Sequence, residues 1–181
     1  MTRYFVVEFT APDAVAFDRF RGVFEALKQD KDSDKFRPDD QWPELFDREA
    51  LDCFNWWTDE DRARWLPGIP DFELSHQAGR PRLEWEFFSM IEAFKNGDYQ
   101  LIACQRNDNG QSRLEYDPFG GPYGGSGCMV ALIQCFGFVV SGGTDVAGFP
   151  SGMRGAAPGQ RRWTSILGGA DHPIVWRRPS E

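Results

Sequence analysis

A chain of 181 residues with 28 acidic and 20 basic side chains carries a formal charge of −8, a field that repels nucleic acid and anionic membranes and draws basic proteins. At this length one domain is the expected organisation, 1–181, and it buries roughly 70% of its unfolded surface, enough for a core without disulfide or metal staples. The longest apolar run, Cys128 to Cys135, falls far short of the roughly 18 residues that a membrane span requires.

Met1-Thr2-Arg3 leads straight into a strand-like stretch without an apolar leader, so no export signal is read. Four cysteines without close-paired spacing then fit reduced thiols in the cytoplasm. Tyr4 to Phe9, rich in β-branched and aromatic residues, reads as a first strand. Thr10 with Asp13 reads as a capping box, with Pro12 in the first turn. The helix behind it sets Phe17, Phe20, Val23, Phe24 and Leu27 on one stripe, then fades into a solvated charged loop over 29–35.

Residues 41–66 mix acids with large rings: Trp42, Phe46, Phe54, Trp56, Trp57 and Trp65. Thr58-Asp59-Glu60-Asp61 is a helix start with an acidic first turn, and Leu66-Pro67-Gly68 ends that short helix. Pro81 opens a stronger one, where Leu83, Phe87, Met90, Ile91 and Phe94 keep helical period up to Asn96-Gly97. Tyr99–Cys104 and Arg113–Tyr116 flank Asn107-Asp108-Asn109-Gly110, the clearest hairpin of the chain. A glycine-rich loop at 120–127 precedes a helix over 128–136, apolar nearly all round and therefore buried, with Gly137 as its C′ residue. Phe138-Val139-Val140 reads as a strand and Ile174-Val175-Trp176 as a last one. The expected fold is α+β: a mixed or mainly antiparallel sheet with three or more helices.

Several motifs suggest chemistry and stop short of it. The glycine loop offers backbone N–H groups at a helix start, which suits a phosphate, but it lacks the Lys-Ser/Thr ending of a P-loop and the spacing of a dinucleotide fold. Cys128 stands at that helix start, where a thiol's pKa falls, yet its only possible imidazole bases are His76 and His172. So few histidines also point away from zinc or iron sites. Asp30, Asp32 and Asp34 imitate a calcium loop, but Lys35 and Gln41 stand where its glycine and its bidentate glutamate belong. Glu84 and Glu86, two apart on a helix, diverge and share no site unless another element supplies one. No cofactor and no metal are expected.

The acidic-aromatic segment has the strongest functional pattern. Residues 30–61 hold 12 acids against 4 bases, so the field is local, and interfaces combine Trp anchors with charged rims. The candidate protein-binding residues are Asp39, Asp40, Glu44, Asp47, Trp56, Trp57, Asp59 and Glu60, facing a basic protein partner, with no nucleic acid and no membrane among the partners.

The stretch Tyr116-Asp-Pro-Phe-Gly-Gly-Pro-Tyr-Gly-Gly-Ser-Gly-Cys-Met-Val-Ala-Leu-Ile-Gln-Cys-Phe-Gly137 resembles one found in small bacterial proteins, some of them immunity proteins encoded beside toxins. It consists mostly of glycine and apolar positions and carries no functional residue across. The resemblance implies an inhibitor of a cognate toxin. Two other readings are an enzyme using Cys128 or a nucleotide at the 120–127 loop, and a structural or regulatory interaction module.

Overall fold

The computed structural model describes residues 4–68, 80–119 and 126–144. The loop at 120–125, both histidines and the strand expected at 174–176 lie outside the described residues.

The fold is α+β. Strand β1 (Phe5–Thr10) leads into helix α1 (Ala14–Ser33), and two short 3-10 turns follow at Asp39–Gln41 and Pro43–Leu45. Helices α2 (Arg48–Asp52), α3 (Asp59–Trp65) and α4 (Phe87–Asn96) precede the hairpin β2 (Tyr99–Arg106) and β3 (Gln111–Pro118), then α5 (Gly127–Cys135) and β4 (Val139–Gly143). The strands form one antiparallel sheet in the order β2-β3-β1-β4. In the hairpin, Gly110 takes φ +82° and its N–H donates to the Asn107 carbonyl. A Cβ at Gly110 would stand 3.1 Å from the Ala11 carbonyl oxygen, so both backbone twist and close approach require glycine there.

One sheet face alternates inward, with Val7, Phe9, Leu114 and Tyr116 buried. The α1 stripe of Phe17, Phe20, Val23, Phe24 and Leu27 is buried as its spacing predicts. Phe9 packs against the Phe17, Phe20 and Phe138 rings, and Phe20 packs against Phe136. Helix α5 touches β1 and β4 on one side and α2 and α4 on the other. Being covered on both sides explains why nearly every one of its residues is apolar and buried. Truncating Leu132, fully buried at its centre, would cost about 2–5 kcal/mol.

Three element boundaries differ from the sequence expectation, each for a physical reason. The cap of α1 is Asp13, whose Oδ1 accepts from the N–H groups of Val15 (2.8 Å) and Ala16 (3.3 Å); Thr10 is not available, because it pairs as the last residue of β1. The segment 29–35 is not a solvated loop: α1 runs to Ser33, because Asp30 lies one turn beyond Leu27 on the same buried face. Helix α4 begins after Glu86, not at Pro81. Residues 53–55 and 83–87 pair first, with Leu83 N–H donating to Cys53 O, Asn55 N–H to Trp85 O and Phe87 N–H to Asn55 O.

Asp30 itself is held by Arg37. The guanidinium donates to both carboxylate oxygens at 2.8 Å, and the Arg37 backbone N–H adds a bond at 2.9 Å. These hydrogen bonds hold the Asp30 carboxyl below its usual value against the opposing effect of burial. The same guanidinium lies 4.6 Å from the Trp42 ring centre, and Trp42 is completely buried.

Candidate functional site

The short pairing of 53–55 with 83–87 sets the chain just before α3 beside the first turn of α4. From the core outward, Phe46 and Phe54 meet Phe87 edge-on. Trp56 stacks on Phe87 at 5.2 Å and 13°, and meets Phe88 edge-on. Trp57 closes the series, its ring 5.6 Å from that of Phe88. Among the described residues a chain of ring contacts thus runs from interior to surface and reaches Trp57, which is 51% exposed. Such stacking fixes the orientation of the outer rings before any partner arrives.

Acids follow this end in the chain. Thr58 caps α3, its Oγ1 accepting from the Asp61 N–H at 3.0 Å and donating to Asp61 Oδ2 at 2.8 Å. This leaves Asp59 and Glu60 exposed in the first turn. Glu86 caps α4, accepting from the N–H groups of Phe88 (3.0 Å) and Ser89 (2.7 Å). Burial pushes the Glu86 carboxyl up, its two backbone hydrogen bonds pull the other way, and the Asp61 charge adds to the rise.

The nearby bases face other partners. Arg62 reaches Asp52 at 3.3 Å, and Arg48 donates to the Pro67 carbonyl at 2.7 Å. Arg64 lies over the Trp65 ring at 4.9 Å and 4.0 Å from Asp40. Among the described residues neither Asp59 nor Glu60 makes an ion pair. The half-exposed Trp57 is thus followed within three residues by two exposed carboxylates.

The eight candidate residues divide. Trp56 and Trp57 come together at Phe88, and Asp59 and Glu60 follow them in the chain, exposed in the first turn of α3. Asp39 bonds to Lys95 near the far end of α4, and Lys95 and Phe88 stand roughly 10 Å apart along the helix axis. Asp40 is with Arg64. Glu44 is exposed in the second 3-10 turn. Asp47 serves the fold: it caps α2 through the Ala50 N–H (2.7 Å) and binds Arg80 at 2.9 Å. Phe88 and Glu86 were not read from the sequence as site residues. One signal existed: Phe88 is a large apolar residue off the buried stripe of α4.

No family model, curated protein or solved structure compared with this chain matches it.

The other motifs find different surroundings. Cys128 is buried, its sulfur 3.4 Å from the Tyr99 hydroxyl oxygen, and burial pushes its thiol up to about 11. The thiols of Cys53 and Cys104 rise to about 12 for the same reason. Of the glycine loop only its end is described: Ser126 makes no side-chain cap to α5, and a Cβ on Gly127 would stand 3.3 Å from the Trp85 ring. Among the described residues no group of three or more His, Cys, Asp or Glu side chains is placed to hold a metal ion, and no helix is long and apolar enough to cross a membrane.

An open depression of about 370 Å³ lies where Lys31 of α1 meets the end of α4. Its cations are engaged: the Lys31 ammonium donates to the carbonyls of Phe94 (3.0 Å) and Gly97 (2.7 Å), and Lys95 is paired with Asp39 and Glu92. Lys31 there acts as a cap for the carbonyl end of α4.

Proposed function

We propose that this chain is a protein-binding inhibitor of the immunity type, which neutralises a basic toxin domain in the bacterial cytoplasm. Its contact surface is centred on Trp57 and Phe88, with Trp56 beneath and Asp59 and Glu60 at the rim. The observation that carries this reading is the half-exposed Trp57, held in place by a ring series anchored in the core and flanked by two acids that make no ion pair among the described residues. A rigid indole at the centre of a contact supplies much of its affinity, while rim charge sets the rate of encounter. The resemblance at 116–137 agrees with the toxin-directed form of this reading.

A regulatory module with a different basic partner would use the same surface, and one experiment separates the two. The chain is co-expressed with the product of the neighbouring gene in a host whose growth that product arrests; a harmless product removes the toxin-directed reading. Growth should be restored by the wild-type chain and lost with a Trp57→Ala, Asp59→Lys, Glu60→Lys triple variant that stays folded. Rescue by neither form removes the toxin-directed reading; rescue by both removes the surface.

A further inference from the structure

No further inference is drawn: the strongest candidate, the open depression where Lys31 of α1 meets the end of α4, lined also by Asp32, Asp34, Asp98 and Phe119, is an acidic cluster whose lysines are already engaged by carbonyls and carboxylates, and nothing among the described residues points to a ligand for it.

Discussion

Trp42 and Trp57 stand in one acidic stretch of the chain and end in opposite surroundings. Trp42 is wholly buried beneath Arg37, whose charge is met by Asp30. Trp57 is half exposed beside Asp59 and Glu60, which make no ion pair among the described residues. Composition is the same in the two places: an indole and nearby carboxylates. The difference is whether a described base meets the carboxylate. Where it does, ring and acid become part of the core and their charges cancel locally. Where it does not, the two acids keep their charge at the surface and the indole keeps half of its surface exposed. An acidic-aromatic sequence therefore marks a surface only where its acids are not spent on the chain's own bases.

The comparison makes predictions of decreasing size. Trp42→Ala should cost about 3–5 kcal/mol of stability, the range for removing a large buried ring, as measured by denaturant unfolding. Trp57→Ala should cost much less, because half of the side chain is already exposed to solvent. Equal losses would erase the distinction between the two indoles.

Asp30→Asn should cost about 3 kcal/mol, since it leaves Arg37 without its charge partner beneath the surface. The sign of the pH dependence follows from the lowered Asp30 carboxyl. Its contribution is fully present above the ordinary aspartate value of 3.8, and it is lost as pH falls through the lower folded value. The wild type should therefore lose stability below about pH 4 more steeply than Asp30→Asn does. Parallel acid profiles would mean that the pair contributes nothing.

The smallest effect on stability belongs to the rim. Reversing Asp59 and Glu60 to lysine should change stability by only about 0.5 kcal/mol, apart from some loss of favourable charge at the start of α3. The same change should slow association with a basic partner and flatten its dependence on salt. An unchanged salt dependence would show that encounter occurs on another face.

Much of this was legible in the sequence, and the remainder was not for one recurring reason. The α1 stripe, the Asn107–Gly110 turn, the buried α5 and the positive φ at Gly137 follow from local periodicity and local backbone preference. The start of α4 and the cap at Asp13 depend on pairing with distant residues, Asn55 with Glu86 and Thr10 with Gln111 and Val139, while the continuation of α1 to Ser33 depends on the burial of a charged residue, Asp30, beside Arg37. The site divides in the same way. Trp57, Asp59 and Glu60 could be read from the segment they share. Phe88 and Glu86 join them only because 53–55 pairs with 83–87, and Glu86, which stands before its helix and not on one with Glu84, meets the charge of Asp61 across that junction. Asp47 looked like the others but is taken by Arg80, more than thirty residues along the chain.

The central claim is that Trp57 anchors a partner. The measurement that addresses it most directly is the dissociation rate of the complex with the proposed basic partner, for wild type and for Trp57→Ala, with Trp65→Ala as a control on a neighbouring indole that lies under Arg64. Trp57→Ala should dissociate about 30-fold faster, equivalent to about 2 kcal/mol, with little change in association rate; Trp65→Ala should stay near wild type. A folded Trp57→Ala that dissociates at the wild-type rate would contradict the account.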